Sequence, residues 1–123
     1  MKRIAIVAIL LAASANSAAQ SCTRSEIMDA EGKIYTLNSW QSIYDFYKTY
    51  GLCDDGGTAE GTSDKTVHLL ATQWETLSQV KQIIAQDPTF ETFFLKHINA
   101  SADTLELDRI VLSASQQCLP QDW

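Results

Sequence analysis

Beyond residue 37, apolar side chains return at three- and four-residue steps, the spacing that lays one face of an α-helix against a core. Trp40, Ile43, Tyr44, Tyr47 and Tyr50 predict a first long helix, with Asn38 as its cap, Gln41 three residues on, and Gly51 as its left-handed end. Val67, Leu70, Trp74 and Leu77 predict a second, capped by Ser63, although the Thr58–Gly61 stretch is compatible with an earlier start. Ser78 opens a short third helix, which bears Val80, Ile83 and Ile84 and ends near Gln86. Asp87-Pro88 is the strongest helix start: aspartate accepts from orphan amides and proline is preset for the first helical position. Phe90, Phe93, Phe94, His97 and Ile98 follow it at helical spacing. Asp103 with Glu106 reads as a capping pair ahead of Leu107, Ile110, Val111, Ala114 and Cys118, and Pro120 forbids continuation.

Residues 20–36 show no clear period. A short helix over Ser25–Ala30 is compatible with them, and Glu31-Gly32-Lys33 reads as a turn. No segment shows sustained strand alternation, so the expectation is an all-α, single small domain of about five helices joined by short turns.

The first residues change this picture only at its edge. Lys2-Arg3, the apolar run Ile4–Ala13 and the small residues Ser17-Ala18-Ala19 have the order of a secretory signal peptide, with cleavage expected after Ala19. The apolar run is about half the ~20 residues of a membrane span. The expected organisation is residues 1–19 as signal and 20–123 as a helical domain in an oxidising, exported compartment. The whole chain carries nine basic against fifteen acidic residues, a net charge of −6, and Lys2 and Arg3 leave with the signal. Such a surface opposes nucleic acid and anionic lipid and favours a basic protein partner.

Cys22, Cys53 and Cys118 allow one intramolecular disulfide in three ways. Cys53–Cys118 is favoured, since each closes a predicted helix and Cys22 lies beside the new N-terminus. Lipidation at Cys22 is disfavoured because Ala19-Gln20-Ser21 lacks a leucine-like residue three positions before the cysteine.

The segment Cys53–Ser63, C-D-D-G-G-T-A-E-G-T-S, interrupts the helical pattern and carries no catalytic grammar. Cys53 would act as a nucleophile only with His68 or His97 beside it, and an exported cysteine is far more often disulfide-bonded. No metal site is expected: the two histidines lie on different predicted helices with no second ligand at the right spacing. His68 reads as solvated on a face with Asp64 and Glu75, and His97 as covering the core edge beside Phe93 and Phe94. Asp54-Asp55 lacks the alternating oxygens of a calcium loop, and its twelfth position is Lys65. Asn99-Ala100-Ser101 fits a glycosylation sequon, a pattern common by chance. Trp40, Tyr44, Tyr47, Trp74, Phe90, Phe93 and Phe94 read as core. No cofactor is implied, and the residues alone describe an exported acidic binding protein rather than an enzyme.

Taken in order, Tyr50-Gly51-x-Cys53-Asp54-Asp55-Gly56, Glu60-Gly61-x-Ser63, Leu69-Leu70, Trp74 with Leu77, Asp87-Pro88-x-Phe90, His97-Ile98, Asp103-Thr104 and Cys118 span roughly residues 38 to 120. This series resembles the signature of the periplasmic immunity proteins against type VI secretion amidase effectors, through order and spacing rather than any one motif. The resemblance implies an all-helical, commonly dimeric inhibitor of a papain-like cysteine amidase that cuts peptidoglycan cross-bridges. A loop of the inhibitor enters the amidase cleft and a second subunit adds contacts. Gly57, where the family often carries a larger residue, and the short tail after Pro120-Gln121 depart from the pattern. Contact residues do not carry over, because contact loops vary between cognate pairs. Candidates here are the two polar breaks richest in acids and hydroxyls: Asp54, Asp55, Gly56 and Glu60 in one, and Asn99, Ser101, Asp103 and Thr104 in the other. An unrelated periplasmic adaptor or chaperone, and a small cysteine hydrolase using Cys53, are the competing readings.

Overall fold

A reciprocal capping box starts the first helix where the hydrophobic spacing predicts least. The Thr23 hydroxyl accepts from the Glu26 amide at 3.2 Å, and the Glu26 carboxylate accepts from the Thr23 amide at 2.7 Å. In the computed structural model, which describes residues 21–118, this helix, α1 (Arg24–Ile34), runs straight through the expected turn at Glu31-Gly32-Lys33. The expected signal segment and the Pro120 stop lie outside the described residues.

Five further helices follow: α2 (Trp40–Tyr50), α3 (Gly56–Thr72), α4 (Leu77–Gln86), α5 (Thr89–Ala100) and α6 (Thr104–Cys118). Single 3-10 turns at Gly51–Cys53 and Trp74–Thr76 lead into α3 and α4. Among the described residues the fold is therefore all-α, with six helices rather than about five. None of these helices is long and apolar enough to cross a membrane.

Several boundaries move from their expected places, and α3 stops at Thr72, so that Trp74 falls in a 3-10 turn and Leu77 opens α4 instead of continuing the face of Val67 and Leu70. Ser39, not Asn38, caps α2, and it does so reciprocally with Ser42 rather than Gln41. The chain leaves α2 through a right-handed Gly51, and the left-handed glycine is Gly56, with φ +51°. Finally, α3 begins at Gly56, so most of the glycine-rich stretch is helix instead of loop. The Asp87-Pro88 and Asp103 starts hold: Asp87 accepts from the Thr89 amide at 3.2 Å, and Asp103 from the Glu106 amide at 3.0 Å.

Helix α3 is the centre of the bundle, packed against α1, α2, α5 and α6. Its buried positions are mostly small: Thr58, Thr62, Ser63 and Thr66 precede Val67, Leu69 and Leu70. Thr62 and Thr66 donate to the carbonyls four residues back, each at 2.8 Å, so these hydroxyls enter the interior already bonded. The bulk of the core comes from the facing helices, through Trp40, Ile43 and Phe46 of α2 and Phe90, Phe93 and Phe94 of α5. Trp40 meets Phe94 edge-on at 5.7 Å, and its indole donates to Thr76 at 2.7 Å. Tyr44 and Tyr47 sit partly buried at the rim, bonded to Asp87 and Thr89.

The disulfide joins Cys53 to Cys22, not to Cys118. The capping box explains this: it holds the start of α1 in place, and Cys22, one residue before the cap, stands with its Cα 5.0 Å from that of Cys53. The staple thus fastens the start of α1 to the end of α2. Cys118 ends α6, and its side chain lies outside the described residues.

Gly61 marks a tight contact of α1 with α3, because a Cβ there would stand 2.8 Å from Cγ2 of Ile34. Gly32 has nothing within 4 Å of the same position. Substitution by alanine should therefore have opposite effects. Gly32→Ala gains about 0.5–1 kcal/mol of helix propensity, whereas Gly61→Ala loses about 1–2 kcal/mol to overpacking; urea midpoints of the two variants check the sign. Reduction of Cys22–Cys53, or Cys22→Ser, is expected to cost about 3–4 kcal/mol for a ring of this length. Non-reducing peptide mapping should recover Cys22 and Cys53 in one linked fragment.

Candidate functional site

The chain between α2 and α3 turns twice within a few residues, and the turns send neighbouring acids to different places. Asp54 occupies φ −78°, ψ 68°, and the Asp55 amide donates to the Cys53 carbonyl at 2.8 Å, an inverse γ-turn. The Asp54 carboxylate consequently faces inward, with its side chain 6 % exposed. Asp55 stays exposed as the N-cap of α3 and accepts from the Gly56 amide at 2.8 Å.

Two residues of α5 meet the buried carboxylate. Lys96 Nζ donates to Asp54 Oδ2 at 2.6 Å and to its carbonyl at 3.0 Å. His97 Nε2 lies 3.1 Å from Oδ2 and 3.0 Å from Oδ1. The opposite ring nitrogen, Nδ1, is 2.8 Å from the Ser63 hydroxyl on α3. With Nε2 carrying the proton to Asp54, Nδ1 accepts from Ser63, and each polar group of the histidine is satisfied. Phe93 closes the ring's flank with centroids 4.4 Å apart. Burial alone would push the Asp54 carboxyl up, but the bonds from His97 and Lys96 outweigh it and hold the group below the usual carboxylate range.

A Ser–His–Asp series invites comparison with a hydrolytic relay, whose serine must reach substrate. Here His97 is 0 % and Ser63 3 % exposed. The series binds the α2–α3 turn to α5 and α3, and the expectation that His97 merely covers the core edge gives way to a fully buried, doubly bonded ring. His68 is exposed, as expected, and it also pairs across to Glu106 of α6 at 2.7 Å. The histidines bond Asp54, Ser63 and Glu106, and the Cys53 sulfur is bonded to Cys22.

One trio among the described residues has the chemistry to ligate a metal: Cys22, Glu26 and Cys53, with ligand atoms within 4.8 Å of one another. The two sulfurs are already joined, and the Glu26 carboxylate is held by the Thr23 amide, so each donor is engaged.

The expected contact residues divide between surface and interior. Asp55, Gly56 and Glu60 are exposed on the first turns of α3, and Asp54 is withdrawn into the latch. Asn99 belongs to the last turn of α5, Ser101 follows it, and Asp103 and Thr104 open α6. The two segments are coupled through Asp54, since Lys96 and His97 lie one turn ahead of Asn99 and Ala100. Sequence spacing puts His97 on the buried side of α5 with Phe93 and Phe94, but gives no sign of the partners it finds there. Comparison of the chain with protein-family models, curated proteins and solved structures finds no match.

Asp54→Asn removes the charge and keeps the shape, and should cost about 2 kcal/mol at pH 7 by weakening the charge-assisted bonds. A carboxyl whose folded pKa lies below the unfolded value of about 3.9 contributes stability that is full above that pH and is lost as pH falls through the lower folded value. Wild-type stability should therefore fall more steeply than that of the variant below about pH 4, narrowing the gap between their urea midpoints.

Proposed function

We propose that this chain is a periplasmic immunity protein that binds a type VI secretion peptidoglycan amidase and occludes its active-site cleft. The observation that carries the reading is the place of the signature residues in the fold. Cys53 closes the staple, Asp54 is latched by His97, Gly56 takes the left-handed turn, and Gly61 admits Ile34. Ser63 bonds His97, Leu69, Leu70 and Phe90 are core, and Asp87 and Asp103 start helices. Thus most of the residues shared with the family pattern build the scaffold, although the cysteine that Cys53 joins, Cys22, is not one of them. Asp55, Glu60 and Thr104 belong to the pattern yet are exposed, and together with Asn99, which lies outside it, they are the surface left to meet the effector.

Three further observations support the reading. The disulfide suits an oxidising compartment such as the periplasm. The acidic surface favours a basic partner and fast encounter with it. The Cys53 sulfur is held in a disulfide, which disfavours the cysteine-hydrolase alternative and leaves the reactive cysteine to the effector. A homodimer, as in the family pattern, belongs to the same proposal.

Co-expression tests it directly. Cells producing a periplasm-directed papain-like amidase from the same organism should lyse without this chain and survive with it, and the two proteins should co-elute on gel filtration. Continued lysis at matched inhibitor levels, with no complex formed, overturns the reading and leaves the adaptor or chaperone alternative.

A further inference from the structure

Helices α1 and α3 meet tightly where Gly61 admits Ile34, and residues of both line an open groove of about 700 Å³. Three glycines are among its lining residues, and two of them, Gly32 and Gly57, offer bare backbone. A Cβ built on Gly32 meets nothing within 4 Å, and one on Gly57 meets only the Glu31 carboxylate, at 3.6 Å. Apolar side chains stand along the edge without cover, Met28 64 % and Tyr35 85 % exposed. The groove runs on past Glu31 and Gly57, which line both hollows, into a second hollow of about 420 Å³ that reaches Leu52 and Asp55. Acids line this trough at Glu31, Asp64 and Asp55, and Lys65 is the one cation among its lining residues.

Each property narrows the occupant. A glycine floor lets a partner's main chain approach within van der Waals contact of the helices, closer than a surface of ordinary side chains permits. Exposed Met28, Tyr35 and Leu52 offer apolar contact for one inserted side chain. The excess of acids selects a cationic segment and opposes anionic lipid or nucleic acid. We infer that the α1–α3 trough is the docking surface for a Lys- or Arg-bearing loop of the amidase, one apolar side chain of which enters over Gly57. The inference rests on the immunity reading and adds to it the surface and the chemistry of the contact. It also gives the departure at Gly57 a role, since a larger residue there would fill the floor.

Binding of the purified amidase to the exported chain, followed by surface-immobilised kinetics, tests the inference. Gly57→Leu, which fills the floor with a residue that suits a helix, should weaken binding about ten-fold or more, mostly through faster dissociation. Tyr35→Ala, at a position too exposed to threaten the fold, should weaken it about five-fold. The pair Glu31→Lys with Asp64→Lys should slow association at low salt about five-fold more than Glu91→Lys with Asp108→Lys, which makes the same charge change elsewhere. If wild type binds and all these variants bind as tightly, the trough is not the contact and the immunity reading stands without it. If wild type itself fails to bind the amidase, the reading falls and the trough assignment with it. A Gly57→Leu variant that loses self-association while keeping amidase affinity overturns the inference in favour of a second copy of this chain.

Discussion

A carboxylate shut inside a protein needs partners fixed in position, and the arrangement of this bundle follows from how Asp54 obtains them. Leaving such a charge unpaired would cost on the order of 3–5 kcal/mol, a large share of a small domain's stability. His97 and Lys96 prevent that only while α5 is rotated to bring both residues to the α2–α3 turn. Ser63 then completes the bonding of His97, which sets the rotation of α3 as well. One side chain on a short turn thereby ties three helices into a single register.

The central helix is suited to this role because it is thin. A column of threonine and serine, with Gly61 opposite Ile34, lets neighbouring helices come close without large side chains at the axis. The Thr62 and Thr66 hydroxyls are bonded within their own helix and Ser63 to His97, which makes most of this polar column tolerable in the interior. The buried Thr58 hydroxyl is left without a partner among the described residues. The aromatic side chains of α2 and α5 then supply the apolar volume that α3 lacks.

This division explains which parts of the fold the amino-acid sequence discloses. Helices α2, α4 and α5 are legible because large apolar residues mark their buried faces, and the start of α6 because Asp103 caps it. The start of α3 is hidden: its helical phase continues backward from Val67 through Thr66, Ser63, Thr62 and Thr58, residues that a hydrophobic pattern does not count. Most of α1 is hidden as well, since within it only Ala30 and Ile34 are buried. Asp54 and Asp55 look alike in sequence, and only the inverse γ-turn between them sends one inward and leaves the other on the surface. The latch joins residues 34 and 43 positions apart, which periodicity cannot pair. The trough is still less visible, because its lining is drawn from segments distant in sequence, such as those of Glu31 and Gly57.

The site of the disulfide separates two events in the life of the chain. Both of its sulfurs, and all of α1 and α2, precede Gly56 in order of synthesis. The Asp54 latch is complete only once His97 has emerged, more than forty residues later. The ring that joins the amino-terminal helices therefore needs no residue of the carboxyl-terminal half to close. That early ring carries Asp54 directly after its closing cysteine, so α5 meets a turn whose position has already been narrowed.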